Sequence, residues 1–353
     1  MADRRVAQLE VQFNWVFILI AGAVIIAFFF SVVQKQRSIS DQRLAFSILN
    51  EMDAITTGAA ISKGTAQRLD LPRQGLDIAC TDACTCSISV GAFTRDAGDK
   101  LIFAPSRLEG EDVVLWSIDW RMPFRAANFL YATNERAKYF FVYDEDNAGS
   151  QQLRRLFEDR LPPLVGAEFV TPDDVDCADN PDCVQNENYA SVKFIFLDIP
   201  PDFGNLQLHE SFQETDVSAL HVSQGVLTFY ERSSRRSTSF TPYRSYAAGD
   251  ATLFGAVFAA DPTMYECNAR KASQRLAYVS HVIEQRGEDL GADVALVERG
   301  CVYATGPLIG PLWTLATEQS KTITESFQQL PTIADQLAAN NEQLIRQSCP
   351  TWY

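Results

Sequence analysis

The run from Phe13 to Val33, FNWVFILIAGAVIIAFFFSVV, sets the first condition on any fold of this chain. It carries no charge, and Asn14 and Ser31 are its only polar side chains. About 20 apolar residues rising about 1.5 Å each match a hydrocarbon core of about 30 Å. Backbone amides in hydrocarbon must be paired within their own segment, so the run is expected to be a bilayer-crossing helix. It exceeds the apolar stretch of an ordinary secretory signal, and no small-x-small cleavage site follows it before the charged QKQR stretch. The helix is therefore expected to be retained, with a cleaved signal as the competing reading. Arg4 and Arg5 stand before it and Lys35, Arg37 and Arg43 after it, so flanking basic charge is nearly balanced and does not set orientation.

The helical pattern continues past the membrane. From Gln34 to Thr57 there is no proline or glycine, and Leu44, Ile48, Met52 and Ile55 recur at helical spacing, with Gly58 as a stop. Residues 13–33 and 34–58 thus read as one rod of about 45 residues, on the order of 70 Å long. The leader, residues 1–12 with Ala7-Gln8-Leu9-Glu10, followed by an apolar and then an amphipathic helix, resembles the N-terminus of type IV pilin-like proteins. The resemblance covers roughly the first 55 residues. In archaeal members a peptidase cuts between a small and a Gln-like residue just before the apolar helix. The resemblance therefore implies processing between Ala7 and Gln8 and self-association through the helix, although Val6 stands where a basic residue is expected. The segments NWVFILIAGAVII, LIFAPS, WRMPF and MYECN are similar to uncharacterised archaeal single-pass membrane proteins, which brings no activity with it.

The remaining residues, about 300 of the 353, suffice for one large domain or two modest ones. With 45 acidic against 30 basic side chains the net charge is -15, a field that repels phosphate backbones and argues against a nucleic-acid partner. All eight cysteines follow the apolar run: Cys80, Cys84, Cys86, Cys177, Cys183, Cys267, Cys301 and Cys349. An even count after a membrane helix suits disulfides in an oxidising compartment, with the N-terminus inside the cell and the domain outside. The alternative is a membrane-tethered cytosolic domain with eight free thiols. The cysteines group as three, two and three, so full pairing needs at least one bond between groups. Cys177 with Cys183 is the natural local pair.

Residues 59–79, punctuated by Gly64, Pro72 and Gly75, read as a linker or docking loop. Residues 76–248 read as an extracytoplasmic domain. It opens with a β-meander over Cys86–Phe93, Lys100–Phe103 and Val113–Trp120, with Pro123 closing the strand region. Tyr139–Tyr143, a helix over Gln151–Leu161, Gly166–Val170, Ser191–Ile199, Val217–Val222 and Val226–Tyr230 then suggest a small Rossmann-like α/β sheet. Residues 249–353 read as helices packed on it: Leu253–Ala260, Pro262–Arg286, Thr314–Gln329 and Ile333–Gln347. The tail with Cys349, Trp352 and Tyr353 is expected to be docked. The fold class is α/β, with α+β as the alternative.

No GxGxxG, Walker A, GxSxG or HExxH pattern occurs, so no catalytic set and no cofactor is expected. His209, His221 and His281 read as structural or surface histidines. Cys80-x3-Cys84-x-Cys86 invites a metal reading with Cys177 and Cys183 as the second pair, but disulfides are preferred and no metal is expected. Asp173, Asp174, Asp176, Asp179 and Asp182 crowd one loop that fails the EF-hand pattern and reads as a solvated acidic loop rather than a Ca²⁺ site. Asp144, Glu145 and Asp146 follow a strand end, where α/β folds place ligands. Arg232, Arg235, Arg236 and Arg244, among serines and aromatics, form the one local charge reversal. They are a candidate patch for an anionic partner such as a lipid head group or surface polymer, against a solvated hairpin tip. The leading expectation is a non-enzymatic, membrane-anchored structural or interaction protein. Its rival is an extracytoplasmic receptor or enzyme with a site at the strand ends, drawing on Asp144, Asp198 or His209.

Overall fold

The protein is described from a computed structural model that covers residues 19–36, 47, 49–50, 58, 66–71, 75–177, 180, 182–201, 208–235, 239–303 and 305–353. The chain divides into two units, Met1–Glu51 and Met52–Tyr353. In the first, helix α1 spans Leu19–Gln36 and is long and apolar enough to cross a membrane. Its large side chains point outward all round: Ile20, Ile26 and Phe30 are 59%, 71% and 65% exposed. Eighteen residues rise about 27 Å, close to a hydrocarbon thickness. The leader with Ala7 and Gln8, and Leu44, Ile48, Met52 and Ile55 of the expected amphipathic face, lie outside the described residues. Gly58, expected to stop that helix, is itself helical.

Among the described residues, the second unit is a mixed α/β structure with three sheets. The six-stranded sheet runs in the order β10 (Ala167–Val170), β9 (Ala137–Val142), β11 (Ser191–Leu197), β12 (Asp216–Ser223), β13 (Val226–Arg232), β14 (Phe240–Tyr246). The first four strands are mutually parallel, and β13 and β14 extend them antiparallel. Period-two alternation sorts its residues onto two faces. Phe140, Val142, Val192, Phe194 and Phe196 face one cluster with Val175 and Phe212, under helix α3 (Pro172–Val175) and the turn at Glu210–Phe212. Tyr139 and Phe141 face the other way, onto Phe258 and onto Phe157 of helix α2 (Ala148–Arg160).

Two four-stranded sheets take up the expected meander. One runs β1 (Gln67–Asp70), β7 (Asp112–Arg121), β8 (Arg125–Thr133), β5 (Ile102–Phe103); the other runs β4 (Phe93–Asp96), β3 (Cys86–Val90), β2 (Leu76–Cys80), β6 (Arg107–Leu108). Two expectations are corrected here. The supposed linker contributes β1 and β2, because Gly75, at φ +74, turns the chain beside Leu108 and lets Leu76 and Ile78 bury. Pro123 does not close the strand region: it sits in the cis Met122–Pro123 turn between β7 and β8, and β8 pairs with β7 from Val114 to Arg121.

Helix α4 (Asp250–Phe258) lies between this β7–β8 sheet and the six-stranded sheet, with seven of its nine residues buried. Trp116 and Tyr131 contact Phe258 from one side, and Tyr139 contacts it from the other. A helix apolar on all sides can only be satisfied in such a position. Helix α5 (Pro262–Ala292) starts at once behind it, its Asp261 side chain accepting from the Met264 amide and Pro262 filling the first turn. Of the apolar face expected from helical spacing, Ala269, Ala272, Leu276 and Ile283 are buried and Val279 is half-buried. After the short α6 (Val294–Glu298), helices α7 (Thr305–Gln319) and α8 (Leu330–Arg346) complete the chain. Helix α7 starts nine residues before the expected Thr314 despite Gly310 and Pro311, because Ile309, Leu312, Leu315 and Ala316 bury on one stripe, and it ends at Gln319, with Glu325–Gln329 forming a separate turn. The tail is docked as expected. Trp352 is fully buried, its amide and indole N–H donate to Asn341 and Asn340, and Cys349 is bonded to Cys301.

The closeness of α4 to the β7–β8 sheet is testable at Gly255, where an added Cβ would sit 2.9 Å from the Phe103 ring. We expect Gly255→Val to destabilise the detergent-solubilised protein by about 1–3 kcal/mol in denaturant melts, as overpacking does. Gly291→Ala, whose nearest neighbour beyond its own helix is Tyr303 Cβ at 3.8 Å, should instead be neutral or stabilising by up to about 1 kcal/mol. Equal melts for both variants would contradict the packing described.

Candidate functional site

Ligands of open α/β sheets gather at the carboxyl ends of the strands, where strand order reverses. Here that point lies between β9 and β11, whose other neighbours are β10 and β12. Asn147 caps α2 there, its Oδ1 accepting from the Gly149 and Ser150 amides. The space beyond is already filled. Asp198, at φ +54, puts its carboxylate against the first turn of α2, so that a Cβ on Gly149 would meet Asp198 Oδ2 at 2.2 Å. Ser223 Oγ donates to the same carboxylate, and Asn147 Nδ2 donates to the Asp198 carbonyl at 3.2 Å. The protein thus supplies its own anion at the helix terminus that would otherwise attract one. Asp144 is nearby in the chain but turned to local duty, accepting from the Asp146 amide at 2.9 Å. His209 does not join them; it caps the Glu210–Phe212 turn.

A different cavity, of about 270 Å³, opens at the amino ends of the same strands. Ser191 and Lys193 of β11, Asp216 of β12, Glu231 and Arg232 of β13, and the end of α4 with Asp261 line it. Lys193 is buried, and its Nζ donates to the carbonyls of Ala256 (3.4 Å) and Ala259, closing the C-terminal end of α4. The ring of Phe229 lies 5.9 Å from the same ammonium. Burial lowers the Lys193 pKa to about 8, against the upward pull of Asp261, Glu231 and Asp216. Burial raises Glu231, helped by Asp261, while Lys193 opposes the rise. The arrangement is a polar cavity near the lower size limit for small ligands, with an ammonium that gives up its proton more readily than an exposed lysine does. Lys193 escaped sequence reasoning because SVKFIFLDI reads as a strand. The usable signal was one basic residue inside the apolar run 192–197.

The other candidates divide. All eight cysteines are paired: Cys80–Cys86, Cys84–Cys267, Cys177–Cys183 and Cys301–Cys349. The expected local bond is present, and Cys84–Cys267 is the bond between groups. In the acidic loop Asp174 accepts from the Thr171 amide and hydroxyl, so its carboxylate is engaged in capping α3, while Asp179 lies outside the described residues. Arg232 bonds the Phe212 and Arg235 carbonyls. Arg244 stacks near Tyr246, four residues along β14 from the partner of Arg232, a separation of about 13 Å. Arg236 lies outside the described residues. His221 is half-buried on β12 with burial lowering its pKa, and His281 pairs with Glu284 at 3.6 Å on α5.

Comparison with protein families, with characterised proteins and with solved structures finds no match to this chain.

The Lys193 assignment predicts a pH dependence. Between pH 8 and 10.5 the folded protein binds fewer protons at this site than the unfolded chain, so stability must rise with pH there. The unfavourable burial of charge is fully felt below that window. Relative to Lys193→Met, the wild type should gain on the order of 3 kcal/mol across the window in paired denaturant melts, since tyrosine titration is common to both. Parallel pH profiles would refute the assignment.

Proposed function

We propose that the chain is a single-pass membrane protein that holds a disulfide-crosslinked α/β domain in an oxidising compartment as an interaction module rather than an enzyme. The observation that carries this is α1, which exposes large apolar side chains on every side and suits only lipid or other apolar helices. Four disulfides in the second unit favour the outside of the cell, with the N-terminus inside. The self-filled switch point weighs against catalysis there. In its finer form the proposal follows the pilin-like, archaeal resemblance: cleavage between Ala7 and Gln8, self-association through the N-terminal helix, and a surface protein or polymer as partner.

A second reading is a receptor for a small polar ligand in the Lys193 cavity, favoured by its buried amine among three carboxylates.

Topology is tested by treating intact cells with a membrane-impermeant maleimide polymer before and after a reductant. The proposal expects no labelling of the native protein and labelling after reduction without cell lysis. Labelling only after lysis, without a reductant, would place the domain in the cytosol and overturn it. Sequencing the mature N-terminus tests the finer form, which expects Gln8 as the first residue.

A further inference from the structure

Three of the eight sulfurs, those of Cys80, Cys86 and Cys267, meet at one place, and a fourth, that of Cys84, is bonded to Cys267. Cys80 ends β2 and Cys86 begins β3, and the two residues are partners across the hairpin. The turn between them is closed by the Thr81 amide on the Thr85 carbonyl and the Cys84 amide on the Thr81 carbonyl. Cys84, at φ +60, is the left-handed residue of that turn and bonds to Cys267 on α5. The Sγ atoms of Cys80, Cys86 and Cys267 all lie within 4.8 Å of one another. Cys86 and Cys267, which are not bonded to each other, are 3.8 Å apart. A tetrahedral ion with metal–sulfur bonds of about 2.3 Å has sulfur–sulfur edges of about 3.8 Å.

We propose that Cys80, Cys84, Cys86 and Cys267 form a tetrathiolate site that binds one Zn²⁺ once their two disulfides are reduced. The donor set is all sulfur, which selects zinc over the hard cations that carboxylates hold. Cys86 and Cys267 are buried and Cys80 and Cys84 half-buried, as in a closed structural site with no open coordination position.

The scaffold is held by contacts that do not involve sulfur. One face of α5 grips the hairpins: Arg270 donates to the Asp82 carbonyl, Lys271 to that of Gly98 and Arg275 to that of Asp99. These bonds and the β2–β3 ladder keep the four residues together when the S–S bonds open. The Arg270 guanidinium, bound to the turn that carries Cys84, brings positive charge to a group that would be dianionic, which favours thiolate over thiol. Its Nε is buried without a hydrogen-bond partner among the described residues.

The chemistry balances with a phosphine as reductant. Two phosphines take oxygen from two waters and deliver four electrons and four protons, breaking both S–S bonds to leave four thiols. Zn²⁺ then displaces those four protons. The inference concerns the sulfurs alone and does not depend on which side of the membrane the domain occupies.

The test uses the full chain in detergent, reduced anaerobically with a water-soluble phosphine. It is loaded with Zn²⁺ or Co²⁺, passed over a desalting column and analysed for metal. The proposal expects one retained ion per chain, and for Co²⁺ the intense visible bands and sulfur-to-metal charge transfer of tetrahedral tetrathiolate coordination. Cys86→Ser/Cys267→Ser should lose the retained ion, whereas Cys177→Ser/Cys183→Ser should keep it. The cobalt spectrum reads the unsubstituted protein, so it stands even where a variant fails to fold. Absence of retained metal in the reduced wild type, an octahedral cobalt spectrum, or equal retention by Cys86→Ser/Cys267→Ser would overturn the site.

Discussion

Everything in the Met52–Tyr353 unit is arranged around the burial of α4. A short helix sealed between two sheets gains little from its own backbone bonds and depends on the aromatic groups that enclose it. Trp116, Tyr131 and Phe103 on one side and Tyr139 and Phe157 on the other supply that enclosure. The polar ends are the difficulty, because orphan amides and carbonyls in a dry core are costly. At the start, Thr252 Oγ1 accepts from the Ala248 amide and donates to the Gly249 carbonyl. Next to it the Trp120 indole and the Tyr131 hydroxyl donate to the carbonyls of Ala248 and Ala251. At the far end the Lys193 ammonium meets the Ala256 and Ala259 carbonyls. A charge buried in an apolar strand thus has a structural reason, and the same charge makes the adjoining cavity polar.

The second organising element is α5, which continues from α4 and carries the load outward. Its first turns bond the β5 strand through Asn268, the hairpin through Cys267 and Arg270, and the β4–β5 turn through Lys271 and Arg275. Its later turns receive Trp352, whose ring lies 2.0 Å from where a Cβ on Gly287 would be. A glycine there lets the docked tail approach the helix backbone. Cys80–Cys86 and Cys177–Cys183 close short loops at a hairpin tip and an acidic loop, while Cys84–Cys267 and Cys301–Cys349 tie the hairpin and the tail to distant parts of the chain. In such positions a covalent bond restrains segments with little core of their own.

Much of this was legible in the chain. The β9, β11, β12 and β13 strands and the α2, α5 and α8 helices follow from alternation and helical spacing, and α1 follows from the absence of charge. What was missed has particular causes. Pro123 looks like a terminator but makes the β7–β8 turn, β1 is short and polar, and β2 is a five-residue strand entered through Gly75. The meeting of Cys267 with the Cys80–Cys86 hairpin spans more than half the chain, and no spacing rule encodes it. The sequence marks the strand end that carries Asp144, Glu145 and Asp146 but not the strand order that makes a switch point there, and nothing in it announces Asp198 at that place. That depends on a left-handed backbone at a non-glycine residue and on Gly149 opposite.

The most direct measurement of the account is native-state hydrogen exchange on the detergent-solubilised protein, resolved to α4. If the sealed helix is the centre of the domain, the amides of residues 254–258 exchange only through global unfolding, with protection equal to the most protected strands β9 and β11. Exchange of those amides by local opening, faster than that of the flanking strands, would contradict it.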